Sequence, residues 1–155
     1  ILYAYRFAFE NKNNPTAIVL SRQDMKYLEN NLQYEEFIKG AYEFSPGKDI
    51  TIFATGSELE IAKEVSNILD DLSIQIISVP ILDKLDNETL NLLNPSSEIF
   101  TIELGRSVGW DSYIKNIKKS FSINSFGKSA PIKDLVNEFD FAAEKIANEI
   151  KNLIN

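Results

Sequence analysis

The sequence predicts an α/β fold: three layers, α/β/α, with a mostly parallel five-stranded sheet. Three observations predict it. Short strand-like runs alternate with helical stretches of about 8–14 residues, the pattern of βαβ units with helices on both faces of a sheet. The right-handed crossover of such units makes neighbouring strands mainly parallel. The rhythm of the chain also changes at Ile50, just after the strong turn signal Pro46-Gly47.

Each element has its own signal. Tyr3, Phe7 and Phe9 with Ala4 and Ala8 give a helical stripe, closed by Asn11 to Asn14 and Pro15. Ala17 to Leu20 is wholly apolar, as in a strand buried on both faces. Residues 23–48 are polar, acidic and weakly periodic, and read as a linker between domains with a short strand near Ala41 to Phe44. ITIFATGS (50–57) is a strand and a turn. Ser57 and, three residues on, Glu60 give a capping-box start to a helix with Ile61, Ala62, Val65, Ile68, Leu69 and Leu72 on its apolar face. IQIISVP (74–80) is the next strand, stopped by Pro80. Asp86 caps a short helix carrying Leu90, Leu92 and Leu93. EIFTIE (98–103) is a strand, GRSVGWDSYIKNIKKSF (105–121) a loop leading into a helix, and FSINSF (121–126) a further strand. SFGKSAPIKDLVNEF (125–139) is a loop and helix. Asp140 caps a last helix with Ala143, Ile146, Ile150, Leu153 and Ile154 on its core face. Residues 1–22 are thus the last helix and strand of one domain, 23–48 a linker, and 49–155 a second domain.

Composition narrows the chemistry. The 155 residues include 16 Lys or Arg and 23 Asp or Glu, a formal charge of −7, and neither histidine nor cysteine. Without cysteine there is no thiolate nucleophile and no disulfide, and without either residue no zinc finger. Without histidine the commonest acid–base side chain is missing. A net negative chain with no dense basic run is a poor partner for nucleic acid or an anionic membrane. No apolar stretch approaches the roughly 18 residues of a membrane span. The start at Ile1, already in a helical pattern, suggests a chain cut from a longer one.

Ligands of open α/β sheets bind at the carboxyl ends of the strands, and that rule selects three places. Arg22 follows AIVL directly, with Ser21 and Gln23 beside it. A guanidinium there can hold a phosphate or carboxylate by two parallel hydrogen bonds, or can simply cover a domain edge. The turn Ala54-Thr55-Gly56-Ser57-Glu58 precedes a helix N-terminus, yet lacks a P-loop Lys, and its Glu58 and Glu60 repel an anion. A cap serving the helix alone is the better reading of that turn. The third place is Glu103-Leu104-Gly105-Arg106-Ser107, with Trp110 and Phe126 read as aromatics that anchor loops in the core. Glu103 is a possible acid–base residue with no second titratable partner evident.

The same positions carry a family resemblance. PTAIVLSRQ (15–23) resembles the end of the pyrimidine-binding domain of transketolases. KGAYEF (39–44), ITIFATGSELEIA (50–62), GRSVGW (105–110) and SFGKSAP (125–131) follow in the order and spacing of that family's C-terminal domain. FDFAAEKIANEI (139–150) resembles its last helix. Asn124, Ser125 and Lys128 stand where many transketolases carry Asp, Arg or His, and Ala.

The resemblance implies a parent enzyme that moves a two-carbon ketol unit between sugar phosphates. Thiamine diphosphate supplies the carbanion chemistry and Mg2+ holds its diphosphate. It further implies that Arg22 binds the sugar-phosphate end of the substrate. No catalytic, cofactor or metal residue of the family has a counterpart in this chain. The chain alone is expected to be inactive and to bind no cofactor, with a structural and dimerisation role in a cytoplasmic homodimer. Two other readings stand beside it. One is a non-catalytic module that recognises a small anion at the TGSE turn. The other is the equivalent domain of a different thiamine-diphosphate enzyme, such as dihydroxyacetone synthase.

Overall fold

A computed structural model describes residues 1–28 and 30–154; Glu29, within the expected linker, and Asn155, the end of the expected second domain, lie outside the described residues. Helix α1 (Leu2–Glu10) opens the chain, and a long extended segment leads to the one-turn α2 (Tyr34–Phe37). Then come β1 (Tyr42–Ser45), β2 (Ile50–Ala54), α3 (Glu58–Ile68) and β3 (Ile74–Ser78). A 3₁₀ turn (Leu82–Lys84), α4 (Asn87–Leu93) and β4 (Ile99–Glu103) follow. A second 3₁₀ turn (Ser107–Gly109) runs into α5 (Trp110–Tyr113), β5 (Ile117–Ser122), α6 (Ile132–Glu138) and α7 (Ala143–Ile154). No helix among the described residues is long and apolar enough to cross a membrane.

The five strands form one sheet in the order β1-β3-β2-β4-β5. Only β1 runs antiparallel; β2, β3, β4 and β5 are parallel. The expected mostly parallel five-stranded α/β sheet is therefore present. Alternation along the strands divides the core in two. Ile50, Ile52, Ile76, Phe100 and Ile102 face the layer of α3 and α7, against Ala62, Val65, Ile146 and Ile150. Phe53, Ile77, Val79 and Ile99 face the other layer, against Leu85, Trp110 and Ile114. Burial of each such large side chain contributes about 1.5–3 kcal/mol.

Polar groups inside the sheet are paired rather than excluded. Thr51 and Gln75 are buried on adjacent strands. Thr51 Oγ1 donates to Gln75 Oε1 at 2.8 Å, and Gln75 Nε2 donates at 2.8 Å both to Glu43 Oε2 on β1 and to the Leu93 carbonyl on α4. The side chain of Gln75 thus joins β1, β2 and β3 to the end of α4. At the other edge, Thr101 and Ser120 hydroxyls meet at 2.8 Å between β4 and β5. Both edge strands are irregular: the register shifts between Glu43 and Ser45 on β1, and between Ile99 and Phe100 where β4 meets β5.

Several expectations are corrected. Ala17 to Leu20 forms no strand, and Val19 is 93% exposed. A strand is made by its ladder partners, and none of the described residues pairs with this run. The last strand spans Ile117–Ser122, not FSINSF at 121–126. The helix expected before it is the single turn Trp110–Tyr113, closed off by Asn116 at φ +59°. Ser57 makes no capping bond: its hydroxyl donates to Glu58 Oε2 at 2.9 Å, while Glu60 pairs with Lys26 at 2.6 Å. Both halves of the expected capping box are committed elsewhere. On α3, Ile68 is exposed and Leu59 is buried in the core. Asp140 sits at φ +58° and pairs with Lys145 at 2.5 Å, three residues before α7 begins. On that helix Ala147 fills the core position and Leu153 is exposed. The Asp86 cap is formed as expected, Oδ1 accepting from the Thr89 N–H at 2.8 Å.

Candidate functional site

Arg22 lies on the exposed segment between α1 and α2. Its neighbours hold a small turn: Ser21 Oγ donates to the Gln23 carbonyl at 3.0 Å and accepts from the Gln23 N–H at 3.1 Å. Ser21 and Gln23 are bound to one another, and Arg22 sits at the tip between them. No ion pair among the described residues holds its guanidinium. An exposed Arg on a hydrogen-bonded turn has all five donors available to a phosphate or carboxylate.

The other two places meet at the carboxyl ends of β2 and β4, which are neighbours in the sheet. Gly56 supplies φ +53° and lets the chain turn sharply into α3. The N–H groups of Glu58 and Glu60 are taken by the carbonyls of Thr55 and Ser57, at 3.1 and 3.2 Å. Glu58 is only 5% exposed, and its Oε1 accepts from the Leu104 N–H at 2.9 Å. The two turns are therefore clasped by a carboxylate. A carboxylate at this helix start, held by Leu104 and Ser57, opposes a second anion.

Glu103 has the titratable neighbour that the sequence did not reveal. Burial, and then the charge of Glu58, push its carboxyl above the ordinary range, while a hydrogen bond from the Trp110 indole opposes them. Glu58 and Glu103 are 45 positions apart, and only the parallel pairing of β2 with β4 brings them together. Trp110 is a core aromatic as expected, its ring centroid 6.5 Å from that of Phe53. Phe126 is not: it is 98% exposed, at the tip of the SFGKSAP loop, whose Lys128 pairs with Glu138. The hydrogen bonds and ion pairs of the described residues do not join Arg22 to the Glu58–Glu103 pair.

The architecture is that of an open three-layer α/β domain, with helices on both faces of a parallel sheet and one antiparallel edge strand. The chain belongs to the family described as the transketolase-like TK C-terminal domain, whose pattern matches residues 40–142. It is similar to the transketolase of Halalkalibacterium halodurans, with 31% identity covering 97% of this chain and 24% of that protein. The transketolase of Geobacillus stearothermophilus is 32% identical over 97% of this chain and 25% of its own length. The chain thus spans about a quarter of the length of the curated relatives it matches. Among solved structures, a transketolase of Pichia stipitis in complex with sedoheptulose 7-phosphate superposes with a TM-score of 0.85 at 28% identity, over 98% of this chain and 23% of that one.

Proposed function

We propose that this chain is the C-terminal part of a transketolase, an enzyme that transfers a two-carbon ketol unit between sugar phosphates. Arg22 holds the phosphate end of the substrate. The observation that carries the reading is the match to transketolases over nearly the whole chain, PTAIVLSRQ included. The exposed guanidinium of Arg22, presented on its own small turn, supports the assigned role. A planar fork of donors suits a phosphate far better than a single ammonium does. The Pichia stipitis relative was solved with a sugar phosphate, which agrees in substrate class.

Such an enzyme uses thiamine diphosphate and Mg2+. The donor set of this chain does not fit that pair. Among the described residues no group of three carboxylates could hold a metal ion. Beside Glu103, the oxygens of Glu58 are already committed to Leu104 and Ser57. The reading therefore gives the cofactor to other parts of the enzyme, and to this region a structural role within a cytoplasmic homodimer, without activity of its own.

The test is Arg22→Ala in the complete enzyme. The KM for sedoheptulose 7-phosphate rises by about tenfold to a hundredfold, as for loss of a charge-assisted contact of roughly 1.5–3 kcal/mol. The KM for unphosphorylated sedoheptulose and the fold stay unchanged. An unaltered KM for the phosphorylated sugar would sink the role of Arg22.

A further inference from the structure

The segment that carries Arg22 is fastened to the domain at two adjacent points. Lys26 Nζ lies 2.6 Å from Glu60 Oε1 and 4.0 Å from Glu64 Oε1. Glu60 and Glu64 are four residues apart on α3 and present their carboxylates on one face. Two residues beyond Lys26, Leu28 is partly buried against the core cluster that contains Ala62 and Val65 of the same helix. The hydrogen bond with Glu60 also raises the pKa of Lys26. Four extended residues reach at most about 14 Å, so fixing Lys26 confines the backbone of Arg22. The Ser21–Gln23 turn then sets the direction in which Arg22 leaves the chain.

We propose that Lys26, seated on Glu60 and Glu64 with Leu28 beside it, is a positioning residue for Arg22. The α3 face of the C-terminal domain holds the guanidinium where the substrate phosphate arrives. This rests on the reading of Arg22 given above, and it gives the domain a share in substrate recognition. An exposed ion pair adds little to overall stability, so its removal acts on placement rather than on folding. The apolar contact of Leu28 supplies a second anchor without charge.

Kinetics of the complete enzyme test the proposal. Lys26→Ala raises the KM for sedoheptulose 7-phosphate about two- to fivefold, the range of an exposed ion pair, and leaves kcat unchanged. The KM for unphosphorylated sedoheptulose does not move. Lys26→Arg keeps the wild-type value, and the exchanged pair Lys26→Glu with Glu60→Lys recovers most of it. Amide exchange at residues 22–28 of the Lys26→Ala protein speeds up while that of β2 and β4 does not. If Arg22→Ala raises the KM and Lys26→Ala does not, the positioning role is overturned and the reading of Arg22 stands. Equal effects on both sugars, or no gain from the exchanged pair, also overturn it. If Arg22→Ala itself has no effect, both ideas fall together.

Discussion

The Tyr34 hydroxyl donates to Glu10 Oε2 at 2.6 Å and so ties α2 to the last turn of α1. Arg6 completes the link, with Nε 2.9 Å from Glu10 Oε1 and its guanidinium 3.8 Å from the centre of the Tyr34 ring. The Tyr3 ring lies 5.6 Å from that of Tyr34 and 5.9 Å from that of Phe37, and its hydroxyl donates to the Leu32 carbonyl at 3.1 Å. Helix α1 buries no residue fully, so this cluster is its main attachment.

Acid should therefore loosen α1 before the sheet. Hydrogen bonds from Tyr34 and Arg6 hold the Glu10 carboxyl below its ordinary value of 4.5. A carboxyl lowered in the folded state contributes stability above its unfolded value, and that stability is lost as pH falls through the folded value. Tyr34→Phe keeps the ring and removes the donor. Amides of residues 2–10 should exchange faster in that variant at neutral pH, with a weaker further response to acid. Exchange rates that match the wild type at every pH would refute the link.

Glu103 has the opposite sign. Its carboxyl is raised above 4.5 by burial and by Glu58, so the folded protein binds its proton more tightly than the unfolded chain does. The resulting penalty is absent below the unfolded value and grows as pH rises from about 4.5 through the folded value. Glu103→Gln can still accept from the Trp110 indole and carries no charge. The stability of this variant relative to wild type should increase from pH 4 to pH 7 in denaturant titrations. A constant difference across that range would show that Glu103 ionises as a free carboxyl.

The Gln75 amide tests the polar joint between strands. Gln75→Leu takes the donor from the Leu93 carbonyl and one acceptor from Thr51, whose hydroxyl keeps Ser96 as a partner. Each buried group left unpaired costs about 1–3 kcal/mol, which for a chain of this size is a fall in Tm of several degrees. An unchanged Tm would mean that water replaces the amide. Loss of cooperativity instead of Tm would place the defect at β1, which Gln75 reaches through Glu43.

The sheet was legible where burial leaves its mark on composition. Strands β2, β3 and β4 are covered on both faces, so ITIFA, IQIIS and IFTIE stand out as apolar runs between turn residues. Edge strand β5 reads IKKSFS, and its lysines reach out to Glu98 and Glu149, so it carries no such mark. Ala17 to Leu20 carries the mark without the strand, because an apolar run states a need for cover and does not name what supplies it. The S-x-x-E signature failed for a competitive reason: Glu58 captured the serine and Lys26 captured Glu60. The sequence singles out Arg22 as the residue after a strand, but AIVL forms none, so the role proposed for Arg22 rests on the resemblance of PTAIVLSRQ. Neither the Glu58–Glu103 neighbourhood nor the hold of Lys26 on α3 could be singled out, because each joins residues that only the folded chain brings together.

The irregular edges described above bear on how the protein behaves in a crowded solution. Any open sheet ends in rows of unpaired amides and carbonyls, which invite another chain to add a strand. Here one edge is four residues long and bent by its register shift. The opposite edge carries Lys118 and Lys119, fastened to Glu98 and Glu149. Neither offers a straight, uncharged template long enough to copy. In this five-stranded sheet the two strands that contribute least to the core are thus the ones that guard it against pairing with another chain.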